Sequence, residues 1–249
     1  MTETKFRALA GATLVAFLVL ATVPYMYLVS SFGYDDILRE PVATILAAFH
    51  AGGTSLVFAW FGFSLAAFFF VFAALAISRW LQAATGNAHR FTTLFGVASA
   101  LFQTVGLARW VFVAPPLAAA HADPATSDAS KAAIEAVFQA VHQYGGVAIG
   151  EHLGQLTLLV WTAGIAVAFL RMPGLWKVLG VLPAISVPLW LVAQTEMLNA
   201  ANPSIPAYEV APIAFVLWQG WLAVLGLTLL VTSVLNQRRT YAGVSLAAA

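Results

Sequence analysis

The sequence predicts an all-α membrane protein of six transmembrane helices, and three observations carry that prediction. Of 249 residues, 61% are hydrophobic and only 8% are charged, whereas a soluble domain carries about a quarter charged residues. Apolar stretches of roughly 20 residues, long enough to cross a hydrocarbon core as a helix, recur along the chain. The few charges sort onto alternate connections. The short alternating segments of a β-barrel are missing. No basic tract points to nucleic acid, and the absence of cysteine excludes disulfides, thiolate metal sites and thiol catalysis.

The spans are predicted at 8–29, 55–77, 91–113, 146–170, 176–198 and 211–235, from the length of each apolar run. Lys5 and Arg7 precede the first run as they would in a leader peptide. That run is too long for a leader's apolar region and no small-x-small site follows it, so it reads as an uncleaved span. No internal repeat and no low-complexity linker divides the chain, which is expected to form one polytopic domain over 1–249.

Lys5, Arg7, Arg79, Arg90, Arg171, Lys177, Arg238 and Arg239 fall on one side if the spans alternate. Asp35, Asp36, Glu40, Asp123, Asp128, Glu135 and Glu209 fall on the other, with Arg39 and Lys131 as the cations there. The positive-inside rule then puts both termini in the cytoplasm.

The two longer extracytoplasmic connections carry helical patterns of their own. One holds "PVATILAAFHAGG", too short to span and closed by a glycine pair. The other opens on the proline-rich "APPLAAAHADPATSD" and continues so that Ile134, Val137, Phe138 and Val141 share a helical face. Both are expected as short helices at the outer interface, with ordered loops packed on the bundle as the alternative. Tyr25, Tyr27, Trp110 and Tyr208 are expected as interfacial anchors. The second span's "FAWFGFSLAAFFFVFAALAI" reads as a lipid-facing or packing surface.

Ionisable groups within spans are costly and tend to face the bundle or a cavity. Arg109 lies near the outer end of the third span, Glu151 and His152 near the start of the fourth, and Glu196 near the end of the fifth. At 1.5 Å rise per residue these groups share a depth within roughly 10 Å of the outer boundary. Glu151 thus has a charge partner in Arg109, which alone would staple helices in register. His152 and Gln155 extend the polar edge beyond one ion pair. Arg109, Glu151, His152, Gln155 and Glu196 are therefore the candidate ligand-binding residues. They are expected to form a cavity between the third, fourth and fifth spans, with Glu196 at its rim.

Gly146, Gly150 and Gly154 make two GxxxG steps, the spacing that lets a neighbouring backbone approach closely. Pro183 and Pro188 predict a bend in the fifth span. His50, His142 and His152 are weak candidates for a metal or haem, because no HxxxH or HExxH spacing exists and His142 and His152 could share a metal only if the chain bent at Gly145–Gly146. His89 and His121 read as solvated loop residues. No cofactor is predicted. Gly-rich nucleotide motifs, a GxSxG elbow, a lysine within a span and an arginine ladder are all missing.

The opening "RALAGATLVAFLVLATVPY", Arg109 closing the third span, and "GEHLGQLTLLVWT" in the fourth resemble a group of small bacterial six-span membrane proteins known only as a domain of unknown function. The resemblance covers nearly the whole chain. It implies a six-span fold and a bacterial inner-membrane home, and no activity. The leading expectation is a non-enzymatic protein that binds, senses or passes a small amphipathic or anionic molecule through an outward-facing polar pocket. The alternatives are a metal- or haem-dependent membrane enzyme or redox subunit using outer-face His and Glu, and a structural subunit of a membrane complex; the sequence leaves room for a homo-oligomer or a membrane-complex partner.

Overall fold

The computed structural model describes residues 2–34 and 36–247, with side chains as far as 237. Asp35 and the side chains of Arg238 and Arg239, on which part of the charge sorting rests, lie outside the described residues. The described chain runs through α1 (Glu3–Phe32), a 3-10 turn (Asp36–Arg39), α2 (Val42–Thr85), α3 (Arg90–Phe112), α4 (Ala114–Ala122) and α5 (Asp128–Val141). It continues as a π-helical segment (His142–Leu153), α6 (Gly154–Leu170), α7 (Leu175–Ala201) and α8 (Ala211–Ala247). Among the described residues there is no strand.

Among the described residues, six helical stretches are long and apolar enough to cross a membrane: Glu3–Phe32, Val42–Thr85, Arg90–Ala122, Asp128–Leu170, Leu175–Ala201 and Ala211–Gln237. Their outer faces expose large apolar side chains, among them Val23 at 66%, Phe58 at 68% and Val216 at 68%. Apolar surface on this scale is a solvated face only in lipid, so the protein is a multi-pass membrane protein. The Phe-rich second span is divided between the two roles expected of it. Phe58, Phe61, Phe68 and Phe72 face outward, while Trp60 and Phe70 are buried.

α1 and α8 run antiparallel, with Gly11 against Gly226 and Leu230 and Thr22 beside Gln219, so the start of α1 and the end of the described part of α8 lie at one end of the bundle. That end is tied together by Glu3, whose Oε1 accepts from Trp80 Nε1 at 2.8 Å and pairs with Arg7 at 2.9 Å. The Arg7 guanidinium sits over the Trp176 ring at 5.6 Å from its centroid. α1 and α8 meet through small residues. A Cβ on Gly11 would lie 2.9 Å from the Gly226 carbonyl oxygen.

The opposite end is closed by an aromatic cap. Gly53, at φ 55 and ψ −150, turns the arm 42–52 away from the spanning part of α2, a conformation that only glycine adopts freely. The arm buries Ile45, Leu46 and Phe49 against Leu28 and Phe32 of α1, Trp110 of α3 and Phe138 of α5. Trp110 stacks on Trp60 at 4.8 Å with an interplanar angle of 12°. The two connections are therefore helical, with apolar faces packed on the bundle. Of the apolar face shared by Ile134, Val137, Phe138 and Val141, Phe138 is buried and Val137 is exposed. Trp110 is also corrected: it is a fully buried element of this cap and not an interfacial anchor, whereas Tyr27 and Tyr208 are exposed.

The π segment was not anticipated. Its buried positions are His142, Gly146, Val147 and Gly150, and His142, Gly146 and Gly150 continue to Gly154 and Leu158 in a repeat of four that outruns the 3.6-residue α-helical turn. The wider i→i+5 turn accommodates that repeat and keeps one narrow stripe against α3.

Candidate functional site

The stripe of small residues brings α3 and the π segment into backbone contact. A Cβ on Gly106 would lie 2.5 Å from the Gly150 Cα, and one on Gly154 would lie 2.8 Å from Gln103 Cγ. Gly146 leaves room for the Arg109 guanidinium, which lies directly against it. The glycine spacing read in the sequence thus has a specific use: it clears a seat for a buried cation.

Arg109 is 6% exposed. Its Nη1 donates to the Gly106 carbonyl at 2.6 Å, and its Nη2 stands 3.5 Å from Glu151 Oε1. The guanidinium also lies over the Trp110 ring at 5.2 Å, a cation–π contact. Among the described residues, Arg109 Nε has no hydrogen-bond partner. Glu151 is less enclosed, its side chain being 29% exposed. The ion pair expected from depth alone is present, though long and asymmetric in burial.

Glu151 and His152 are sequence neighbours that face different helices. With Gln194 Oε1 as acceptor, His152 Nδ1 donates to it at 2.8 Å, and Gln194 Nε2 donates to Gln155 Oε1 at 2.7 Å. Gln194, 7% exposed, thereby links the fourth span to α7. Nothing in the sequence reading singled it out. Its signal was its position two residues before Glu196 in a span otherwise rich in apolar residues.

A cavity of about 170 Å³ opens inside the bundle. Its polar lining comes from Arg109, Glu151, Gln155, Gln103, Tyr34 and Gln219. Its apolar walls include Phe17 of α1, Phe63 and Phe70 of α2, Trp190 of α7, and Phe215 and Trp218 of α8. Enclosure therefore involves all six spans and not the third to fifth alone. His152 and Glu196 lie outside this lining. Glu196 instead pairs with Arg39 of the 3-10 turn at 2.8 Å, and Arg39 also approaches Asp36 at 3.2 Å and Glu209 at 3.9 Å. Tyr25, expected at a membrane boundary, is half-buried in the cavity wall.

The histidines occupy separate surroundings. His50 is exposed, His142 is buried between the Phe138 and Trp110 rings, and His152 is bonded to Gln194. His121, read as solvated, is mostly covered and lies 2.8 Å from Glu135. Among the described residues no group of three or more His, Asp or Glu could hold a metal ion. At the terminus-bearing end a shallower groove runs between α3 and α6 past His89 and Arg171. Partial burial lowers the pKa of His89 there.

Residues 9–233 match the family described as Domain of unknown function (DUF4386). The match spans most of the chain, and the protein belongs to that family. No curated protein and no solved structure matches it.

Proposed function

We propose that this membrane protein is a non-enzymatic binding protein that senses or passes a small amphipathic molecule held in the interior cavity. The observation that carries this reading is the position of the Arg109–Glu151 pair. Two charged groups sit in the wall of a cavity whose other walls are mainly aromatic. A pair that served only as a staple would gain from being packed dry, because each remaining donor or acceptor must meet a polar partner. Charged groups bordering a cavity with several amides and two tyrosines are arranged as a pocket of the usual ligand-binding composition, apolar with a few convergent polar groups. The whole chain acts as one membrane domain in this reading. Its terminus-bearing end, rich in Lys and Arg, faces the cytoplasm of a bacterial inner membrane.

The test is native mass spectrometry of the protein extracted into nanodiscs. A small molecule retained by the unaltered protein and lost from a Phe70→Trp variant, which fills the cavity, supports the reading. An unaltered protein that carries nothing, and that the filling variant only stabilises, would favour a purely structural role.

A further inference from the structure

We infer that the head group taken by this cavity is uncharged and both donates and accepts hydrogen bonds, as a phenol, an amide or an alcohol does, and that the apolar part seated with it is about the size of one aromatic ring. This rests on the cavity being a binding site, and it narrows what can bind there. The polar end holds one guanidinium and one carboxylate on the same wall, 3.5 Å apart, so its formal charge sums to zero. An anion placed against Arg109 also meets Glu151. Its attraction to the first is offset by repulsion from the second, while the cost of leaving water remains. A cation meets the mirror image of the same problem. A neutral head escapes it, because an oxygen can accept from Arg109 while its own N–H or O–H donates to the carboxylate.

The amides in the lining point the same way. Gln103 and Gln155 can each serve either as donor or as acceptor. The body follows from size and walls. An apolar cavity of about 150 Å³ accepts benzene, and this one is about 170 Å³, leaving space for one ring and a small substituent against Phe and Trp faces.

The inference is tested on the unaltered protein in detergent by tryptophan fluorescence and thermal shift, with benzamide, phenol, benzoate, benzylamine and toluene as probes at neutral pH. Benzamide and phenol are expected to bind at least about tenfold tighter than benzoate and benzylamine. Toluene, which has the body without the head, is expected to bind at least about fivefold more weakly than phenol. The Arg109→Met/Glu151→Gln double variant should bring benzamide and toluene closer together. Should it fail to fold, the comparison among the probes still decides the matter. Benzoate or benzylamine binding as tightly as benzamide overturns the neutral-head assignment while leaving the pocket standing. Saturable binding of none of the probes overturns the pocket as well.

Discussion

Gly106 of α3 and Gly150 of the π segment touch backbone to backbone: a Cβ placed on Gly150 would lie 2.7 Å from the Gly106 Cα. Neither side can yield by rotating a side chain, so a methyl group there must push the helices apart. Gly150→Ala is expected to destabilise the protein by about 1–3 kcal/mol, the usual cost of overpacking. Gly145→Ala is the control, since its Cβ would meet only Val141 Cγ1 at 4.0 Å and alanine favours the helix. Thermal unfolding in detergent measures both. Equal midpoints for the two variants would contradict the contact.

The Arg109–Glu151 pair predicts non-additive losses. Arg109→Met strands a carboxylate that still reaches solvent, its side chain being 29% exposed, whereas Glu151→Gln removes the charge partner of a guanidinium that is 6% exposed. The second change should therefore be the more damaging, with the cost of breaking a fully buried pair, about 3–5 kcal/mol, as its upper bound. The double variant should recover part of the loss. Strictly additive shifts in thermal stability would mean that the two groups do not interact.

Gln194 predicts a larger effect than either residue it serves. Gln194→Leu leaves both His152 and Gln155 without their partner, and each polar group stranded in a mostly covered site costs about 1–3 kcal/mol. His152→Leu removes one end of the chain of bonds and leaves the Gln194–Gln155 bond in place. The expected order of stability is wild type, then His152→Leu, then Gln194→Leu. A reversed order would place the centre of the network elsewhere.

Arg39 pairs with Asp36 inside its own 3-10 turn and joins that turn to α7 through Glu196 and to the connection before α8 through Glu209. Exposed pairs of this kind contribute about 0–1 kcal/mol, so Arg39→Ala should scarcely move the melting point. The connection 202–210 should nevertheless be cut faster by protease, because its tether to the 3-10 turn through Glu209 is gone. Unchanged cleavage there would show that the connection is held by other contacts.

Orientation is open to direct measurement. Reporters fused after 237 or inserted within 86–89 are expected to behave as cytoplasmic, and one inserted near Asp128 as exported. An exported fusion after 237 would overturn the assignment of the terminus-bearing end.

The spans were legible in the sequence because lipid demands an uninterrupted apolar run of fixed length, and that demand leaves a plain mark. Arg109 and Glu151 were legible for the same reason, being costly where they stand. The cavity walls were not. Phe17, Phe70 and Trp218 cannot be told from lipid-facing neighbours, since a residue surrounded by hydrocarbon and one surrounded by protein are chosen by similar forces. Gln194 was overlooked because depth arguments give weight to charges, and an amide two positions from a glutamate is overshadowed by it. The π segment did leave a signal. Glycines four apart, preceded four residues earlier by His142, describe a stripe too slow for an α-helix, although the same spacing also reads as a close helix approach.

The separation of Arg109 from Glu151 by 42 positions sets a problem of biogenesis. Chains lengthen from the N-terminus at about 5–20 residues per second, so the third span emerges roughly two to eight seconds before its counter-charge exists. A lone arginine costs about 2.5–3.5 kcal/mol at the centre of a span on insertion scales and less toward its end, where Arg109 lies. The third span therefore enters the bilayer carrying a debt, or waits beside the insertion machinery until the fourth arrives. In either case the third and fourth spans mature as a couple, and a ribosome stalled between them would leave a nascent chain that its own sequence marks as unfinished.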